Sequence, residues 1–351
     1  MSEPSRRAHG IDLLRLIAAV QMISGHTVDA LIAPEHRSGE LWARWTLMRG
    51  LTAVAFLFAS GVAFAMVAAQ SPERRRSRVR RALMLVGISY ALHPPVALFS
   101  RDAALREASI REFFAVDVLA CIGVTLLVLE VLARLRPRAF AGASAALGIA
   151  ALVAAPATAG IVASGPARPL LDYVTRTGGS LFPLLPYSGF ALLGAAIGAA
   201  ALPREPGPRA VRVLVAATLG FGGIAAAWNA LAPAPTPALY YAHPAASFGR
   251  IAAVCALALV LTLATARVRA LPRWMTTLAG ETLFLYVSHL LALYVGGVGL
   301  VHFFGASLSV AGSVAAALAL ILACAVAALG WHEHAGRLGV PRPARGPRRR
   351  D

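Results

Sequence analysis

Residues 9–35 read HGIDLLRLIAAVQMISGHTVDALIAPE, and this stretch decides what kind of protein the chain is. It is apolar enough for a membrane helix, yet it carries Asp12, Arg15, His26 and Asp29. In lipid each of these is costly, so each needs a partner or a water-filled pocket. Arg15 and His26 are 11 residues apart. At about 3.6 residues per turn that is close to three turns, so they share one face. Asp12 lies three residues before Arg15 and Asp29 three after His26, which extends the same stripe. The rise from Arg15 to His26 is about 16 Å, roughly half a bilayer core.

The rest of the chain has the composition of a membrane scaffold around that stripe. Of its 351 residues 58% are hydrophobic and only 14% charged, whereas soluble chains carry about a quarter charged residues. The mean hydropathy is +0.69. The basic start followed by an apolar run resembles a signal peptide. That run holds charges and no small-residue cleavage site follows, so a retained helix is expected. All 33 basic residues are arginine and the net charge is +17. They sit in short loops between apolar runs, which the positive-inside rule explains without nucleic acid. Cys121, Cys255 and Cys324 lie inside apolar runs without metal-ligand spacing, so neither a disulfide framework nor a metal is expected.

The fold class that follows is all-α: a polytopic integral membrane protein of about ten transmembrane helices. The predicted spans are 11–32, 46–69, 82–100, 113–133, 139–163, 183–202, 211–231, 249–266, 276–298 and 308–330. With the N-terminus inside, 23 arginines fall on the cytoplasmic side, including the run from Arg74 to Arg81 and the tail from Arg337 to Arg350. Seven fall outside: Arg37, Arg44, Arg101, Arg106, Arg111, Arg168 and Arg176. That asymmetry predicts both termini in the cytoplasm. The expected organisation is a basic N-terminus over 1–10, one transmembrane domain over 11–330 and a Pro/Arg-rich tail over 331–351. Gly194 and Gly198 form a small-xxx-small pair suited to close helix packing.

The polar groups inside spans cluster by depth. His26, His93, Asp117 and His289 fall in the predicted outer half, and His36 in the first outer loop could fold back over them. Asp12 and Arg15 lie toward the inner surface, level with the RRRSRVRR loop that holds Arg78 and Arg80. An outer acid/base cluster and an inner cationic mouth suggest a reaction using something anionic from the cytoplasm and something else from outside. The plainer alternatives are helix–helix hydrogen bonding for the histidines, an i,i+3 pair for Asp12 and Arg15, and a topology signal for the arginine run. Arg49, Glu130, Arg250 and Glu281 lie near predicted span ends and read as snorkelling structural residues.

These blocks resemble the catalytic domain of heparan-α-glucosaminide N-acetyltransferase and its bacterial relatives, within the wider transmembrane acyltransferases that include the acyltransferase-3 enzymes. IDLLRLIAAVQMISGH is similar to the opening helix, and Arg15 with His26 matches the Arg-x10-His motif of the acyltransferase-3 branch. MRGLTAVAFLFASGVAFA, RSRVRRALMLVGISYAL, FFAVDVLACIGVTLLV, SLFPLLPYSGFALLGAAIG and GETLFLYVSHLLALY follow in the family's order. Leu16 and Cys121 depart from it, standing where a glycine and a polar residue are usual. The resemblance implies acetyl-CoA or another acyl-CoA as co-substrate, bound from the cytoplasm, and an extracytoplasmic sugar amine or hydroxyl as acceptor. It implies Asp12, Arg15, Arg78 and Arg80 for the CoA phosphates and His26, His36, Asp117 and His289 for the chemistry. Either His26 or His36 is the general base, acting directly or through an acyl-histidine. The expected location is the bacterial cytoplasmic membrane, with lipid as surroundings and a homodimer as a possible assembly. A small-solute transporter with a proton-coupled His/Asp cluster is the alternative, and a structural subunit without chemistry a third.

The topology is directly testable. A reporter fused after Pro206 should read as cytoplasmic, and an external reading would overturn the loop assignment.

Overall fold

The computed structural model describes residues 9–162, 164–201, 207–232, 235–236, 239–268, 270–295 and 298–337. The fold is helical throughout, with one isolated β-bridge between Ile32 and Leu308 among the described residues. In order, the helices are α1 (His9–Leu31), α2 (Gly39–Gln70), α3 (Arg75–Leu92), α4 (Ala103–Phe114), α5 (Val118–Leu132), α6 (Pro137–Ala159), α7 (Arg168–Leu171) and α8 (Leu184–Ala201). They continue with α9 (Pro208–Leu231), α10 (Pro244–Thr265), α11 (Arg273–Gly280), α12 (Thr282–Tyr294), α13 (Leu300–Phe304) and α14 (Val310–Arg337). Helices satisfy every backbone group locally, which a lipid interior demands. Proline opens α6, α9 and α10, where its missing N–H has no intrahelical partner to lose. Asp102 and Asp117 cap α4 and α5 by accepting backbone N–H bonds.

The all-α polytopic architecture stands. Among the described residues eight helices are long and apolar enough to cross a membrane, or nine if the bent pair α11–α12 counts as one. The predicted span at 82–100 has no such helix. Its helix begins at Arg75 and stops at Leu92, so the first half is arginine-rich and the expected outer end is not helical. Two boundaries also move. α2 starts at Gly39, seven residues before the predicted 46, and α14 runs to Arg337, past the predicted 330. The rest of the expected tail, 338–351, and residues 1–8 of the basic N-terminus lie outside the described residues.

The chain divides into two compact units. One holds α1, α2 as far as Phe56, the end of α10 from Ala258, and α11 to α14. Here α1 packs on α11, α12 and α14. Ala19 and Ile23 of α1 meet Leu278, Leu285 and Leu293, and Leu320, Cys324 and Ala328 of α14. The spacings of four and eight within each helix are the one-face rule of an α-helix. A smaller cluster joins Val28, Ile32 and Ala317 under Trp42 and Trp45.

The other unit holds α2 from Leu57, α3 to α9, and α10 up to Leu257. α8 is buried along most of its length and packs on α5, α6 and α9. Its glycines make that burial possible. A Cβ on Gly194 would collide with the Phe58 carbonyl of α2, and one on Gly61 with the Ala191 carbonyl of α8. On the other side, a Cβ on Gly189 would lie 2.8 Å from the Gly148 carbonyl oxygen of α6. Backbones in direct contact gain dispersion that larger side chains would prevent.

Gly194→Ala should therefore force α2 and α8 apart. The expected loss is about 1–3 kcal/mol, the usual cost of overpacking, read as a lower melting temperature in detergent. An unchanged melt would contradict this packing.

Candidate active site

His26 and His289 lie in the same unit and meet. Their ring centroids are 5.2 Å apart with planes at 76°. His289 is fully buried in α12, on the face that also buries Leu285, Tyr286 and Leu293. Its Nδ1 lies 2.8 Å from the Leu285 carbonyl oxygen. A carbonyl only accepts, so Nδ1 carries the hydrogen and Nε2 keeps its lone pair. That Nε2 is buried and has no hydrogen-bond partner among the described residues. Two tyrosines flank the imidazoles. Tyr294 lies 6.5 Å from the His26 ring and Tyr286 5.7 Å from the His289 ring, centroid to centroid. The site thus offers a basic nitrogen held in one orientation beside a second, half-buried imidazole.

One turn beyond His26, Asp29 pairs with Arg49 of α2. Trp45, one turn before Arg49, donates its indole N–H to Asp29 Oδ1 at 3.3 Å. The Arg49 stem crosses α1 at Gly25, where a Cβ would lie 3.2 Å from Arg49 Cγ. Arg49 thus lies along the α1 face next to His26, with its stem at residue 25 and its head at residue 29. Its charge reaches both the His26 ring and the Tyr294 hydroxyl electrostatically. Arg37 donates to the carbonyls of Asp29 (2.9 Å) and Ile32 (3.0 Å) and closes the C-terminus of α1.

At the other end of α1, Arg15 donates from Nη2 to the Thr282 hydroxyl at 3.1 Å. Thr282 starts α12 directly after the 71° bend that separates it from α11. Glu281, at the bend, bonds His332 Nδ1 of α14 at 2.7 Å. Asp12 is half-buried one turn before Arg15. Arg15 and His26 therefore mark the two ends of one polar stripe on α1.

The remaining expected site residues belong to the second unit or to the surface. Arg78 forms a two-pronged ion pair with buried Glu130 of α5, donates to the Ser71 carbonyl at 2.7 Å and lies over the Phe64 ring. Arg80 points to the opposite side of α3. There it lines an open groove of about 400 Å³ with Arg75, Arg76, Val79 and Leu83. Asp117 caps α5 and accepts the Ser89 hydroxyl at 2.5 Å, while His93 Nδ1 lies 3.0 Å from the Ser89 carbonyl oxygen. Ser89 thus joins Asp117 and His93 within one unit. His36 is exposed in a 3₁₀ turn, and no hydrogen bond or ring contact engages its side chain among the described residues. Outside the spans, Asp172 is fully buried. Burial pushes its carboxyl up from the usual range, against the pull of Arg168.

The sequence reading placed His26 and His289 in one cluster, and the structure brings these two together. It missed Arg49 and Tyr294. Arg49 reads as a span-end residue only if α2 starts at 46. The helix begins at Gly39, so Arg49 lies about three turns in. The available signal was the run ELWARWTLMRG, whose residues at four-residue spacing, Leu41, Trp45 and Arg49, share one helical face.

A family model described as heparan-alpha-glucosaminide N-acetyltransferase, catalytic, matches residues 7–225, well over half of the 351 residues. The match covers Asp12, Arg15, His26, Asp29, Arg49, Arg78 and Asp117 and ends before His289. No curated protein matches the chain.

The Arg78–Glu130 pair makes a separate stability prediction. Glu130 is 3% exposed, so Glu130→Ala strands a guanidinium among apolar helices. Breaking such a pair costs about 3–5 kcal/mol, and the melting temperature in detergent should fall accordingly. A melt within error of the parent would contradict it.

Proposed function

The chain belongs to the heparan-alpha-glucosaminide N-acetyltransferase catalytic family, and on that premise we propose an integral membrane enzyme that moves an acetyl group from cytoplasmic acetyl-CoA to the amine or hydroxyl of an extracytoplasmic sugar. One observation carries the chemical assignment: His26 and His289 in contact, with His289 Nε2 buried and uncommitted.

In this reading His26 is the general base. It takes the proton from the acceptor as the acceptor nitrogen or oxygen attacks the thioester carbonyl, and returns a proton to the departing CoA sulfur. His289 supports it as a second basic nitrogen held by the Leu285 carbonyl. His26 is preferred to His36 because His36 is exposed and unengaged, whereas His26 sits among oriented groups. Asp117 serves structure, as the cap of α5 and acceptor for Ser89. The CoA phosphates call for cations. Arg15, at the inner end of the α1 stripe with Asp12 one turn before it, is assigned to the donor, and so is Arg80 with its neighbours on the open face of α3. Arg78, held by Glu130, anchors α3 instead. The rise of about 16 Å from Arg15 to His26 is of the order an extended pantetheine arm needs. The loop charges support a cytoplasmic donor side, with the enzyme in a bacterial cytoplasmic membrane.

Purified protein in detergent, given acetyl-CoA and glucosamine-terminated acceptors, should release free CoA. His26→Ala should abolish turnover while leaving acetyl-CoA affinity within about threefold. Arg15→Ala should weaken acetyl-CoA binding at least tenfold, and His36→Ala should retain most activity. Absence of both acetyl-CoA binding and CoA release by the parent protein would defeat the proposal. Full activity of His26→Ala would defeat the site assignment.

A further inference from the structure

We propose that Arg49 supplies the oxyanion contact for acyl transfer, donating from its guanidinium to the thioester oxygen as the tetrahedral intermediate forms beside His26. This rests on the acyltransferase reading above.

Attack by the acceptor forms one bond to the thioester carbon and moves the carbonyl π pair onto oxygen. His26 gains the acceptor proton. Collapse returns the pair to the carbonyl, breaks the carbon–sulfur bond and releases CoA as a thiolate, which His26 protonates. Between those steps the oxygen carries a full negative charge. Inside an apolar bundle that charge needs a fixed donor, because water and counterions are scarce there. His289 offers a lone pair at Nε2 and cannot donate there. Tyr294 is a neutral hydroxyl. Arg49 is the cation seated on α1 at Gly25 and Asp29, next to His26.

Its geometry leaves donors for a ligand beyond its structural pairing with Asp29. Gly25 leaves room for the Arg49 stem directly beside His26. Asp29 engages Nη1, and Nε and Nη2 donate no hydrogen bond within the described residues. The side chain is 40% exposed. The two structural tasks nearby are already filled. Arg37 closes the C-terminal carbonyls of α1, and Trp45 holds Asp29 by its indole N–H. The Asp29 pair then anchors one end of the guanidinium, so its remaining donors are held near the site.

The test compares the parent with Arg49→Met and Arg49→Lys, using CoA release with acetyl-CoA and a glucosamine acceptor. Removing one oxyanion donor typically lowers kcat about a hundredfold to a thousandfold, and that fall is expected for Arg49→Met. KM for both substrates should stay within about threefold, and added ethylguanidinium should restore part of kcat. Arg49→Lys keeps the charge and the Asp29 pair but loses the fork, so kcat should fall at least tenfold. Arg49→Lys also stands in if Arg49→Met does not fold. A folded variant with kcat within threefold of the parent, or a loss confined to KM, overturns the proposal. A parent protein without CoA release defeats the acyltransferase reading itself, which separates the two failures.

Discussion

The Asp29–Arg49 ion pair is the constraint on which the histidine site depends. A charge left alone among apolar helices costs several kcal/mol, while a paired one is tolerated when hydrogen bonds satisfy what remains. Pairing Asp29 in the last turn of α1 with Arg49 of α2 fixes how the two helices face each other. The glycine at position 25 lets the arginine stem pass, and Trp45 supplies the extra donor to the carboxylate. With α1 held in that rotation, His26 faces α12, and the buried Leu285–His289–Leu293 stripe meets it. The chemistry thus inherits its geometry from an electrostatic requirement and from one missing side chain.

The second unit solves the same problem differently. Its interior is built from small residues whose backbones touch, as at Gly61, Gly148, Gly189 and Gly194. Close packing leaves little room for polar groups, so those present are bound tightly. Glu130 takes Arg78 and Asp117 takes Ser89. The arginine-rich start of α3 shows how periodicity sorts like residues. Arg78 and Arg80 are two positions apart, about 200° around the helix. One is therefore drawn into an ion pair while the other faces open space. A run that reads as uniform charge becomes one anchor and one available cation.

Much of this was legible in the residues themselves. The apolar runs announce a polytopic helical protein, and the blocks from IDLLRLIAAVQMISGH to SLFPLLPYSGFALLGAAIG fall within the family match. The Asp12–Arg15–His26–Asp29 stripe follows from helical spacing alone. The expected span at 82–100 differs from the structure because the helix starts earlier, in the arginine run at Arg75, and stops at Leu92, just before Pro94 and Pro95. Arg49 was misread because the helix start was placed at Thr46, after the mixed stretch 39–45 that the helix includes. Helix ends are set by turns and caps such as the Pro34–His36 turn, and these can add two turns of mixed sequence to a span.

What the sequence by itself determined is therefore the class of the protein and the inventory of costly groups inside its helices. A residue's expense in lipid and its place on a helical face are local properties, set by its own side chain and the α-helical repeat. Only the tertiary structure decided which groups share a partner: His26 with His289, Asp29 with Arg49, Glu130 with Arg78, Ser89 with Asp117. His26 and His289 are 263 residues apart in sequence, and no local periodicity relates them. Their meeting depends on how α1 and α12 rotate about their own axes, which is fixed by the packing of Ala19, Ile23, Leu285 and Leu293 and by the ion pair at Asp29.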